Sequence, residues 1–101
     1  PNEEIDKAIV IYKNIVKTES IWFVKLSGYN LLASVQNFYS RRAMEISTEI
    51  ESAQADGKSE KVPELEKQMN ICKIQDTKVT SLLSELKALE TDPNVKKYLG
   101  M

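Results

Sequence analysis

Very few positions in this chain can stop a helix, and that scarcity constrains the fold more than any motif does. The 101 residues include only three glycines and three prolines, so long uninterrupted elements follow. Asp56-Gly57 reads as a helix stop, because glycine takes the positive φ of a helix C-terminus without steric cost. Pro63, after Val62, reads as the first turn of the next helix, where a missing N–H is not needed. Asp92-Pro93 repeats that signal as N-cap and first residue of a short terminal helix, closed by Gly100. At the other end Asn2 is placed to cap a first helix, with Glu3, Glu4 and Asp6 on the favourable end of its dipole. Ser27-Gly28-Tyr29-Asn30 is the remaining breaker, inside an otherwise helical run. This punctuation predicts helices over about residues 3–27, 30–55, 62–90 and 93–99 of one all-α domain.

The apolar pattern gives the Gly28 breaker its weight. Advanced at 100° per residue, Ile5, Ala8, Ile9, Tyr12, Ile15, Val16, Trp22, Phe23 and Leu26 share one broad arc. On the same count Leu32, Val35, Phe38, Tyr39, Ile46 and Ile50 fall on roughly the opposite side. One straight helix cannot turn both stripes to one core. Either the chain bends near Gly28, or a continuous helix offers its two halves to different partners.

The second and third predicted helices match as an antiparallel hairpin. Folding the chain back around Ser59 sets Ala53 against Leu65, Ile46 against Cys72, Tyr39 against Val79, Val35 against Leu83 and Leu32 against Leu86. On the third helix these positions fall three, four or seven apart, in keeping with the three-and-four repeat of knobs-into-holes packing. The same register opposes Arg42 to Asp76, two charges set in apolar stripes. Buried together they would fix the register; alternatively, they would specify an oligomeric state. The expected architecture is therefore an antiparallel helical hairpin, extended by the first helix to a three-helix bundle or coiled coil, plus the short C-terminal helix.

Composition excludes several kinds of function. There is no histidine, which removes the commonest general base and metal ligand. The glycines are isolated, so no phosphate-cradling loop exists. No cofactor or metal site is expected, and none of the scattered carboxylates has a pocket around it, so the chain reads as a non-enzyme. Lys and Arg total 14 against 15 Asp and Glu, a net charge of −1, which offers no global attraction to nucleic acid or an anionic membrane. Arg41-Arg42 beside Phe38-Tyr39 is the one basic-aromatic cluster. A nucleic-acid interface would need more cations on one face. The most apolar stretch, from Ile21 to Val35, is interrupted by Lys25, Ser27, Gly28, Asn30 and Ser34 and reads as core. Acids at Glu3 and Glu4 stand where a signal peptide would be basic. The single cysteine, Cys72, forms no internal disulfide and reads as a packed thiol in a reducing, cytoplasmic setting.

What remains is surface. Glu19 has Ile15, Val16, Trp22 and Phe23 as helical neighbours. An ionised carboxylate there needs a lysine from another helix, or water, or a role in binding, where Trp22 and Phe23 supply area and Glu19 direction. Val10, Ile21 and Val24 fall among Lys7, Lys13, Lys17 and Lys25 on the polar arc of the first helix. Ile71, Leu82 and Leu89 form a second stripe on the third helix, suited to receive the first. These features point to a helical protein-interaction module (assembly component, adaptor or inhibitor) that binds another protein, itself, or both. A nucleic-acid-associated accessory protein is the alternative. The segment 89–99, with its Asp92-Pro93 cap, resembles the tails of small helical proteins of bacteria and their phages, and cap chemistry accounts for it without common descent. The Trp-x-Gly turn of small secreted helical hairpins is absent, since Phe23-Val24 follow Trp22.

Overall fold

A computed structural model describes residues 2–101, with side chains from Glu3 onward; the cap expected of Asn2 lies outside the described residues. The fold is all-α. Four helices follow in order: α1 (Asn2–Thr18), α2 (Trp22–Ala55), α3 (Val62–Leu89) and α4 (Pro93–Tyr98), with a 3-10 turn at Ser59–Lys61. Helices α2 and α3 form the hairpin, α1 folds back on the first half of α2, and α4 closes the same end. At 1.5 Å per residue α2 alone runs ~50 Å, which sets the long axis of a molecule measuring 55 × 26 × 17 Å.

Several helix ends behave as the sequence dictates. Gly57 and Gly100 both take positive φ, 71° and 74°. The N–H groups around them return to the carbonyls of Ala53, Gln54, Lys96 and Lys97, which satisfies the last turns of α2 and α4. Asp92 caps α4, its carboxylate accepting from the N–H groups of Asn94 at 2.9 Å and Val95 at 3.4 Å.

The bend after α1 lies elsewhere than expected. The chain turns at Glu19–Ile21, and α2 runs unbroken through Gly28. Glu19 and its neighbours, not glycine, make the break. The Thr18 hydroxyl donates to the Asn14 carbonyl at 2.7 Å, while the Glu19 carboxylate accepts from the N–H groups of Ser20 (3.0 Å) and Ile21 (3.1 Å). Side chains that bond to nearby backbone give the chain an alternative to another helical turn. The elbow resolves the conflict between stripes: Trp22 and Leu26 belong to the frame of α2, and α1 lies antiparallel across it.

Gly28 has a packing role. A Cβ there would lie 2.8 Å from Val16 Cγ2 and 3.2 Å from the Tyr12 carbonyl oxygen, so the two helix backbones meet where only glycine fits.

The core follows the hairpin pairing. Buried positions recur every seven residues at Leu32, Tyr39, Ile46 and Ala53 on α2, and at Cys72, Val79 and Leu86 on α3. One cluster joins all four helices through Ile9, Val16, Tyr29, Leu32, Val79, Leu86 and Val95. A second holds Tyr39, Ile46 and Cys72, and Ile5 and Val35 pack against both. Leu82 is half-buried and packs against the first cluster, whereas Ile71 and Leu89 stay exposed, so α1 does not cover the second α3 stripe as a whole.

Arg42 and Asp76 do not meet. The Arg42 guanidinium pairs along its own helix with Glu45 at 3.3 Å and Glu49 at 3.2 Å. Asp76 instead accepts from Gln36 at 2.8 Å and Thr80 at 3.2 Å. A half-exposed guanidinium keeps its hydration beside surface carboxylates, whereas a buried pair would have to be stripped of water. Stability changes from Arg42→Ala and Asp76→Ala should therefore simply add in a double-mutant cycle followed by urea denaturation; a coupling energy beyond the error would restore the pair.

Candidate functional site

Two carboxylates set the chain's direction at the end of the molecule where α1, α2 and α4 converge. Glu19 holds the α1–α2 turn as described. Glu90 repeats the device after α3, its Oε2 accepting from the N–H groups of Thr91 at 3.1 Å and Asp92 at 3.0 Å. Glu90 is also buried, its side chain 1% exposed. Its remaining partners come from α2: Lys25 Nζ donates to Oε2 at 2.7 Å and the Tyr29 hydroxyl to Oε1 at 2.8 Å. Tyr29 OH also lies 3.0 Å from the Leu86 carbonyl. Burial pushes the Glu90 carboxyl up, but the Lys25 ammonium, the Asp92 N–H and the Tyr29 hydroxyl outweigh it and hold it below the usual carboxylate range. Burial, and then the adjoining Glu90, push the Tyr29 phenol well above its ordinary value.

This lock fixes the start of α4, which in turn positions an aromatic cluster. Val95 anchors α4 in the core, and Tyr98 stacks on Trp22 with centroids 5.3 Å apart and planes 9° off parallel. Phe23 meets Trp22 edge-on at 5.8 Å and 88°. Trp22 itself packs against the main core. Phe23 is 58% exposed and Tyr98 64%, so two rings stand in solvent on a third that is anchored to the core. Such T-shaped and stacked arrangements are the favourable geometries of aromatic quadrupoles.

Of the residues singled out in the sequence, the structure gathers Ile21, Trp22 and Phe23 at this end, with Ile21 also exposed. Glu19 stands at the same elbow but serves the backbone; among the described residues no lysine pairs with it. Val24 is half-buried in α2 rather than outward-facing. Val10 lies on α1, exposed but apart from the rings. The sequence reading missed Tyr98, Lys25, Tyr29 and Glu90. A signal for Glu90 was present: a carboxylate two residues before the Asp92-Pro93 cap, where the chain must turn. Tyr98 becomes visible only once α4 is known to fold back on α2.

No group of three His, Cys, Asp or Glu side chains among the described residues is placed to hold a metal ion. No helix among them is long and apolar enough to cross a membrane. Comparison of the chain with family models, curated protein sequences and solved structures finds no match.

Proposed function

We propose that this protein is a non-catalytic interaction module, an assembly component, adaptor or inhibitor, which engages another protein through its aromatic end face and also associates with itself. The observation that carries the reading is the pair of exposed rings, Phe23 and Tyr98, both packed on Trp22. Burying one such side chain is worth ~1.5–3 kcal/mol, and rings already in contact with a neighbour lose less side-chain freedom on docking than free ones. Exposed aromatics packed on one another have the composition of a binding hot spot. The buried carboxylate offers no competing chemistry, since every donor around Glu90 is committed to structure. The lone thiol, packed in the hairpin, suits a reducing compartment, and we place the module in the cytoplasm.

Exposed rings can also stack on bases, which is the basis of the alternative nucleic-acid reading. Against it, the one basic-aromatic cluster is small and half of its charge is taken up, since Arg42 pairs with Glu45 and Glu49. A photo-crosslinking amino acid at Phe23, compared in the native host with the same group at exposed Lys73, tests the choice. The expected result is a discrete protein adduct from position 23 that resists nuclease and disappears in a Tyr98→Ser background. Equal labelling from both positions would remove the aromatic face as the binding site. An adduct abolished by nuclease, with binding that weakens steeply in salt, would transfer the function to nucleic acid.

A further inference from the structure

Helices α1 and α3 both pack on α2 yet scarcely touch each other. Both run antiparallel to α2 and hence parallel to one another. Their levels are fixed where the Gln75 amide donates to Asp6 at 3.4 Å, and where Ile9 and Val16 join Val79 and Leu86 in one cluster. Between them lies a groove of about 460 Å³, floored by Ile9, Val79 and Leu82. Val10, 55% exposed, stands on its lip.

Four charges mark the corners of this groove: Asp6 and Lys13 on α1, Lys78 and Glu85 on α3. Each pair is seven residues apart, ~10 Å along its helix. Asp6 and Lys78 lie at one end, Lys13 and Glu85 at the other. Around the mouth the signs alternate: negative, positive, negative, positive. Among the described residues Lys13, Lys78 and Glu85 enter no ion pair.

An alternating four-cornered pattern is its own complement. Let a second copy face the first, related by a two-fold axis lying across the mouth. If the axis runs along the helices, Lys78 meets the other copy's Asp6 and Glu85 its Lys13. If it runs across them, Asp6 meets Lys13 and Lys78 meets Glu85. In both cases every corner meets the opposite sign, and each contact occurs twice by symmetry. The lip valines then enter the facing grooves, giving an apolar centre within a charged rim. With a net charge of −1, the two copies do not repel each other globally.

We infer that the groove between α1 and α3 is a self-complementary docking face for a second copy of this chain. The inference rests on the reading of the protein as an interaction module but uses a different face, so the two can fail separately.

Sedimentation equilibrium on the full chain, over a wide concentration range and at two salt levels, tests it. The parent should form dimers that loosen as salt screens the rim. Glu85→Lys sets lysine against lysine in either arrangement and should weaken the dimer on the order of tenfold or more, with an unchanged circular dichroism spectrum. One of two second changes should restore it. Adding Lys13→Glu rescues the dimer if the axis runs along the helices, and adding Lys78→Glu rescues it if the axis runs across them. A parent that stays monomeric at the highest concentration overturns the inference, as does a dimer indifferent to Glu85→Lys, or failure of both rescues. A dimer lost in Phe23→Ser but kept in Glu85→Lys would place self-association at the aromatic end instead.

Discussion

Replacing Glu90 with leucine is expected to cost about 3–5 kcal/mol of folding stability, a large share of what a domain of this size possesses. The side chain is 1% exposed and the Lys25 side chain beside it 16%. Deleting the carboxylate leaves that ammonium without its partner and strips the N–H groups of Thr91 and Asp92 of their acceptor. A buried ion pair adds little by itself, but removing one member leaves the other's desolvation uncompensated. The double variant Lys25→Met/Glu90→Leu should therefore recover part of the loss. Urea denaturation measures both, read at constant m-value. Tryptophan emission should change in the single variant under native conditions, because α4 and the Tyr98 ring over Trp22 depend on this turn. A Glu90→Leu cost below ~1 kcal/mol, the level of an exposed pair, would mean that the carboxylate does not hold the end of the bundle together.

The same site gives the pH dependence a defined shape. The Glu90 carboxyl is held below its ordinary range in the fold. Its contribution is therefore present above the unfolded carboxyl pKa of ~4.3 and lost as pH falls through the lower folded value. The stability gap between parent and Glu90→Leu should close in acid. Tyr29 behaves oppositely. Burial and Glu90 raise its phenol, so its contribution is complete below the unfolded pKa of ~10 and declines as pH rises toward the folded value. Burial raises Tyr39 as well. Tyr29→Phe should thus flatten the alkaline decline without abolishing it.

The hairpin was legible because it rests on periodicity. Paired apolar residues seven apart, a glycine stop and a proline start are all local signals, and the burial of Leu32, Tyr39, Ile46, Cys72, Val79 and Leu86 follows them. The elbow was not legible as such. Its stop uses Thr18, Glu19 and a backbone turn, with no glycine or proline, and the glycine that does occur nearby belongs to packing. The misplaced Glu19 charge was the right anomaly, but its answer was two N–H groups of its own chain rather than a cation. Arg42 failed for a related reason. Position on a helical wheel says which way a Cβ points, whereas a long guanidinium can swing along its own helix to Glu45 and Glu49. The aromatic face was half visible, in Trp22 and Phe23; its third ring comes from α4, and only the tertiary fold joins them.

Gly28 is where that distinction can be measured. In a helix interior, alanine is preferred over glycine by ~1 kcal/mol, so a glycine merely tolerated in α2 would give a more stable protein as Gly28→Ala. The structure predicts a loss. The new Cβ would lie 2.8 Å from Val16 Cγ2, 3.1 Å from Ile15 Cγ2 and 3.2 Å from the Tyr12 carbonyl oxygen. Val16 and Ile15 are β-branched and stiff at χ1 within a helix, and the carbonyl is backbone, so α1 itself must move away. Overpacking of this kind costs ~1–3 kcal/mol. Set against the propensity gain, Gly28→Ala should destabilise by ~1 kcal/mol. Gly28→Leu, too large for any local shift, should cost ~3 kcal/mol or more and detach α1. Truncating the obstacle separates crowding from any other cause. Val16→Ala should cost less in the Gly28→Ala background than in the parent, with a coupling on the order of 1 kcal/mol. Thermal unfolding of the four proteins gives the cycle. A Gly28→Ala variant that melts higher than the parent would show that α1 does not press against α2 at this point.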